Sequence, residues 1–224
     1  MILGFDTATA ATAVALRGGA GREFEARDDP APGAHPGHAT RLLELADGLL
    51  AQSGARWRDV ERVVVGTGPG GFTGLRVGVA TARGVALSLD VDAAGVSSLA
   101  ALAAEAFAHG PWQHALAVID ARRGEVFTQL FERRGELPVP LDVPCAQQPH
   151  AVADASPGTV AVGDGAVRYA QELTRSGAAL LPADSGLQVV RAAALCRLAA
   201  AGAVEGALPD YVRRPDAEAK VTAP

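Results

Sequence analysis

Cysteine is nearly absent from this chain of 224 residues: Cys145 and Cys196 are the two present. They show no CxxC spacing, so neither a disulfide framework nor a structural zinc site is expected. Lysine is scarcer still. Lys220 is the sole lysine, and arginine supplies the rest of the 20 basic side chains. With 25 acidic residues the formal net charge is −5. Nucleic-acid phosphates demand clustered cations, so the charge balance argues against a stand-alone nucleic-acid binder, and any nucleic-acid contact is expected to be indirect or weak. No apolar run reaches the ~20 residues of a membrane span. The first residues, Met1-Ile2-Leu3-Gly4-Phe5-Asp6, carry no basic segment and their apolar run stops at Asp6. That is no signal peptide, and a cytoplasmic location is expected.

What is present is a globular composition, 49% apolar and 20% charged, long enough for one large domain or two lobes. Alanine is so frequent that Ala at a helical position carries little information. Ile2–Phe5, Thr12–Arg17 and Arg22–Arg27 read as three consecutive strands, with turns at Asp6–Ala10 and Gly18–Gly21. Asp28–Gly37 holds Pro30, Pro32, Pro36 and Gly33 and reads as a loop. Apolar spacing predicts helices over His38–Gln52, Thr73–Leu89 and Ser97–Ala108, the last capped by Ser97 or Ser98. Val63–Val65 and Ala93–Val96 read as strands. A second hairpin follows, His114–Asp120 and Val126–Glu132. After it come a strand at Thr159–Val162, a helix over Ala166–Arg175 and a last helix over Val189–Ala201. The repeated order of hairpin, strand and helix predicts two lobes, residues 1–105 and 106–208, then a polar tail over 209–224.

The strongest local signal is Gly66-Thr67-Gly68-Pro69-Gly70-Gly71-Phe72-Thr73-Gly74, between a strand and a helix. Glycines permit positive φ and close backbone approach, and the unpaired N–H groups of a helix start suit an anion. The loop is no P-loop, because GxxxxGK[ST] fails for want of lysine. It lacks the acidic residue that a dinucleotide fold places about 20 residues on. The alternative is a tight turn with no ligand. In the next helix Gly74, Gly78, Ala82 and Ala86 recur at spacing four and form a ridge of small side chains. The ridge either packs within the chain or, with Val79 and with Arg76 and Arg83 at its edge, forms a partner or dimer interface. Asp6-Thr7-Ala8-Thr9 and Asp120-Ala121-Arg122 are paired turns after two first strands. The carboxylate and hydroxyls of the first suit a metal-bound phosphate and the second matches it in place, or both serve as turn formers alone. Gly163-Asp164-Gly165 could approach a ligand, though a strand-to-helix turn is the preferred reading. His35 and His38 lack a third metal ligand, His109, His114 and His150 stand alone, and no GxSxG occurs.

Together, Ile2–Thr9, Gly68–Gly78, Gly95-Val96-Ser97-Ser98-Leu99, Ile119–Phe127 and Pro209-Asp210-Tyr211-Val212-Arg213 resemble the TsaB family, once called YeaZ. Its members act in bacterial tRNA threonylcarbamoyladenosine (t6A) biosynthesis. The resemblance implies an α/β, actin-like ATPase (ASKHA) fold of two ribonuclease-H-like lobes. It also implies a catalytically degenerate relative of TsaD, the threonylcarbamoyl transferase. TsaD-like proteins carry His-x-x-x-His, where this chain has Ser98 and Leu102. The implied role is a non-enzymatic scaffold or activating subunit that binds a TsaD-type transferase and a TsaE-type ATPase and also forms homodimers. No intrinsic cofactor or metal is expected. ATP or ADP near the partner contact is the ligand the resemblance allows, at Asp6, Thr7, Thr9, Gly70, Gly71, Thr73 and Asp120. The interface it implies is Gly74, Arg76, Gly78, Val79, Ala82, Arg83 and Ala86. Two other readings stay open: a self-sufficient actin-fold ATPase or kinase using Asp6 and Asp120, and a homodimeric ligand sensor.

Overall fold

The computed structural model describes residues 1–31 and 34–213. Its first sheet grows from β1 (Ile2–Asp6), β2 (Thr12–Arg17) and β3 (Glu23–Asp28), an antiparallel meander. Strands β4 (Arg62–Gly66) and β5 (Asp92–Val96) add in parallel on the other side of β1. Helices α1 (His38–Ser53) and α2 (Phe72–Leu89) make the crossovers. Gly54 ends α1 in the left-handed conformation, φ 74°. Alternation along each strand decides what each face receives. Leu3, Phe5, Val14, Leu16, Val63 and Val65 pack with α1 and α2. The opposite face is lined by small residues. Ala13 and Ala15 lie under a late helix, α6 (Ala192–Ala200), with Ala192, Ala193 and Cys196. Gly4 is required there, because a Cβ would stand 2.6 Å from Cys196 Sγ.

The second sheet repeats the plan. Strands β6 (His114–Arg122), β7 (Glu125–Arg134) and β8 (Leu137–Pro140) are antiparallel, β9 (Cys145–Gln147) also pairs with β7, and β10 (Thr159–Val162) and β11 (Ala179–Leu180) run parallel to β6. The strand order is β3-β2-β1-β4-β5 in one sheet and β8-β7-β6-β10-β11 in the other. That is the duplicated order of an actin-like ATPase fold. Between the sheets lie α3 (Ser98–His109) and α6, sharing one core that joins Val64, Leu99, Leu102, Phe107, Ile119, Phe131, Val162 and Leu195. Outside the second sheet, α4 (Asp164–Arg168) and α5 (Ala170–Thr174) cover Val118, Val126 and Ala161.

Four departures from the sequence reading have physical causes. The helix expected over Ala166–Arg175 is two short ones, broken at Tyr169 with ψ 33°. The last helix starts at Ala192, not Val189, because Gly186–Gln188 forms a separate 3-10 turn capped by Ser185. The second lobe expected to run to residue 208 ends earlier in space. Helix α6 packs on the first sheet, and β12 (Glu205–Gly206) pairs with β5 at its edge. Of the tail expected from residue 209, residues 209–213 pack against the fold, and 214–224 lie outside the described residues. No helix among the described residues is long and apolar enough to cross a membrane.

Candidate functional site

The duplicated topology brings the two hairpin turns face to face across a cleft of about 840 Å³. On the first-lobe side stand Ala8, Thr9, Ala10 and the glycine loop from Gly70 to Gly74. On the other stand Asp120 to Arg123, Phe127 and Asp164, and Asp210 to Arg213 complete the wall. Of the residues proposed for a nucleotide or anion, Thr9, Gly70, Gly71, Thr73 and Asp120 line this cleft. Asp6 and Thr7 do not. They are buried beneath it, 1% and 0% exposed.

Their burial has a clear local cause. Asp6 Oδ1 accepts the Ala8 N–H at 2.9 Å, and Oδ2 accepts the Ser98 hydroxyl at 2.6 Å. Gly66 has no room for a side chain, since a Cβ would sit 1.9 Å from Asp6 Oδ2. Burial raises the Asp6 carboxyl to about 6, against the opposing pull of the Ser98 and Ala8 hydrogen bonds. The Thr7 hydroxyl donates to the Gly74 carbonyl at 2.8 Å, pinning the hairpin turn to the start of α2. Gly71 N–H donates to the Ala8 carbonyl at 2.8 Å, and a Cβ on Gly70 would lie 2.2 Å from the same oxygen. The glycine loop is therefore closed down on the first turn.

On the second lobe Asp120 is already engaged. Its Oδ2 lies 3.3 Å from Arg122 and accepts from Arg168 at 3.2 Å. The Asp120 N–H donates to Asp164 Oδ1 at 3.0 Å. Burial, then the Asp120 charge, raises the Asp164 carboxyl above its ordinary range. Burial also raises Asp210, with Glu205 adding to it. The turn itself is strained: Arg122 and Arg123 take φ 63° and 57° before Gly124 at 81°. Asp210, Arg168 and Tyr211 did not emerge from the sequence as site residues, and Arg122 and Asp164 appeared only as members of turns. Asp164 lay in view within Gly163-Asp164-Gly165, but only the fold sets it behind Asp120.

The cleft is electrostatically mixed. The α2 N-terminus, which no side chain caps, and Arg122 and Arg213 favour an anion. Asp120, Asp164 and Asp210 oppose one. A nucleotide's phosphates would meet N–H groups on one wall and carboxylates on the other, so this donor set suits a polyphosphate only with a divalent cation between. His38 is no ligand in waiting: it is buried, its Nδ1 is 2.8 Å from Thr12 Oγ1, and burial lowers its pKa.

The small-residue ridge requires a correction. Gly74, Gly78, Val79, Ala82 and Ala86 are buried within this chain, so they cannot also face a partner. A Cβ at Gly78 would lie 2.2 Å from Thr7 Oγ1, and at Gly74 2.2 Å from the Thr7 carbonyl. The ridge seats α2 on β1 and β4. Arg76 and Arg83 are the expected interface residues that remain exposed. With Thr73, Ala80, Gly84 and Leu87 (85% exposed) they form the outer stripe of the helix.

Ser98 and Leu102, set by the resemblance against the metal ligands of TsaD-like proteins, are both engaged within the chain. The Ser98 hydroxyl is bound to Asp6, and Leu102 is fully buried in the shared core. Among the described residues no group of three or more His, Cys, Asp or Glu side chains is arranged to hold a metal.

Comparison with known proteins agrees with this architecture. The family model described as TsaD, tRNA N6-adenosine threonylcarbamoyltransferase, matches residues 32–179. The tRNA threonylcarbamoyladenosine biosynthesis protein TsaB of Escherichia coli is 37% identical over 134 residues, 59% of this chain and 55% of that protein. TsaB of Haemophilus influenzae is 40% identical over 90 residues, 40% of this chain and 38% of that one. The match thus spans about half the length of these curated relatives or less. The solved structure of YeaZ from Pseudomonas aeruginosa superposes with a TM-score of 0.78 at 28% identity, covering 94% of this chain and 98% of that one. A structure from the same organism, described as similar to peptidase YEAZ, reaches 0.81 at 29% identity, covering 95% and 99%. Family model, curated relatives and superposed structures agree, and the chain belongs to the TsaB (YeaZ) family.

Proposed function

We propose that this protein is a non-catalytic subunit in the formation of threonylcarbamoyladenosine in tRNA, one that binds and supports a TsaD-type transferase. The observation that carries this is the commitment of Ser98 and Leu102, one to a buried carboxylate and the other to the core, where a transferase of this fold needs metal ligands. Asp120, held by Arg122 and Arg168, is likewise bound within the chain.

The contact surface in this reading is the outer stripe of α2. Between Phe72 and Leu89 the helix carries two arginines and no acid, although the chain is acidic overall. Gly84 sits on that stripe with nothing within 4 Å of a would-be Cβ, so no packing within the chain explains it. A partner face that offers carboxylates and approaches closely over Ala80 and Gly84 fits both features. A second copy of this chain competes for the same stripe, a TsaE-type ATPase joins the assembly, and ATP or ADP is the ligand class at the contact. The test is reconstitution of the modification with and without this subunit, followed by nucleoside analysis, with pull-down of the transferase by Arg83→Glu. Modification that proceeds equally well without the subunit would refute the role.

The cleft volume favours one competing reading, an actin-fold ATPase acting alone. ATP turnover by the purified chain, abolished in Asp120→Ala, would establish it.

A further inference from the structure

The last described residues touch both lobes in succession. Asp210 N–H donates to the Thr67 carbonyl at 2.8 Å, which fixes the segment beside the glycine loop. Tyr211 then stacks on Phe72 with ring centroids 5.1 Å apart, and its hydroxyl accepts from Arg76 Nε at 2.9 Å. The Arg76 guanidinium lies 3.7 Å over the Phe72 ring and 5.7 Å from the Tyr211 centroid, so the three side chains form one cluster at the first turn of α2. Val212 packs against the core between the sheets. Arg213 reaches the second lobe: it donates to Glu125 Oε2 at 2.8 Å and stands 6.0 Å over the Phe127 ring. All four residues line the cleft.

We propose that Asp210–Arg213 is an interlobe strap. It spans the cleft from the α2 N-terminus to the β6–β7 turn, covers one side of the opening, and comes away as a unit when the cleft admits a ligand. The chemistry suits release. Phe72 and Tyr211 are each 38% exposed, and Arg213 and Glu125 are about a third exposed. Cation–π contacts and ion pairs in such half-wet positions are individually weak. The strap is therefore held by several small contributions from two lobes, and it can undock without unfolding either core. A plain C-terminal tail would need none of this alternation, in which successive residues engage first one lobe and then the other.

The test is amide hydrogen exchange read by mass spectrometry on the full chain, with no partner present, so that it stands or falls apart from the role proposed above. Tyr211→Ala removes the first-lobe anchor and Arg213→Ala the second. Each single change is expected to raise exchange about two- to fivefold in both Gly68–Leu75 and Arg122–Phe127, with α3 unchanged as the control for folding. The double variant should again raise both peptides together, since each change loosens the whole strap. If Tyr211→Ala affects only the first-lobe peptide, Arg213→Ala only the second, and their effects add, these are independent local contacts and there is no strap. Unchanged exchange in both variants overturns it as well.

Discussion

Asp6 is a carboxylate that folding makes harder to ionise, and Asp6→Asn turns this into a measurement. The ordinary carboxyl value of 3.8 rises to about 6 in the fold, with burial the largest cause. A shift of about two units corresponds to about 3 kcal/mol. Because the folded value is the higher one, this contribution favours the fold below pH 3.8 and disappears as pH rises through about 6. At pH 7.5 the ionised Asp6 therefore costs the native state about 3 kcal/mol relative to a neutral side chain. Asparagine keeps an oxygen for the Ala8 N–H, and Ser98 can turn its hydroxyl to accept from the amide. Urea unfolding followed by circular dichroism at pH 4.5 and 7.5 reads the outcome. The variant should be more stable than the parent at pH 7.5, by about 1–3 kcal/mol with unchanged m, and the difference should shrink towards pH 4.5. A variant less stable at pH 7.5 than at pH 4.5, each relative to the parent, would refute the reasoning. It would mean that the hydrogen bonds from Ser98 and Ala8 outweigh desolvation.

Gly78→Ala should cost about 1–3 kcal/mol in thermal or chemical unfolding, because its Cβ meets Thr7 Oγ1 inside the chain. A loss of binding in such a variant would report a disturbed helix seat and not a lost contact, so the interface is better tested at Arg83. Gly84→Ala should do the reverse in the isolated chain and stabilise it by about 0.5–1 kcal/mol, since it adds helix propensity on an open face. If that variant also weakens capture of the transferase, close approach over Gly84 is supported; if it leaves capture unchanged, close approach there is ruled out. Arg197→Ala should destabilise by about 3 kcal/mol, because Arg197 pairs with the buried Glu105, which among the described residues would keep His109 alone, at 3.6 Å. Adding Glu105→Leu should recover most of the loss.

What the sequence disclosed and what it withheld follow from range. Strand and helix periodicity are local, so β1 to β5 and α1 to α3 were legible within a residue or two, and of the two serines offered as the α3 cap Ser97 serves. The two turns carrying Asp6 and Asp120 were legible as a pair because the chain repeats its plan. The face of a helix that turns inward was not legible from small residues alone. Gly74 and Gly78 were equally consistent with a partner and with Thr7, and only the path of β1 decides for Thr7. Arg76 illustrates the same limit from outside: its partner Tyr211 lies far along the chain. Short pieces such as β9, β11 and β12 have too few residues for any period to show.

The return of α6 to the first sheet has a consequence for biogenesis. Strand β5 ends at Val96, whereas α6 begins at Ala192. As the chain leaves the ribosome, the face of the first sheet built from Gly4, Ala13, Ala15 and Val64 waits for the whole second sheet to be made before its cover exists. At ordinary elongation rates that interval is on the order of ten seconds. The first half of the protein is thus born half-dressed. Nascent chains stalled before α6 should engage chaperones, and a fragment cut between the two halves should aggregate, though it contains every strand from β1 to β5.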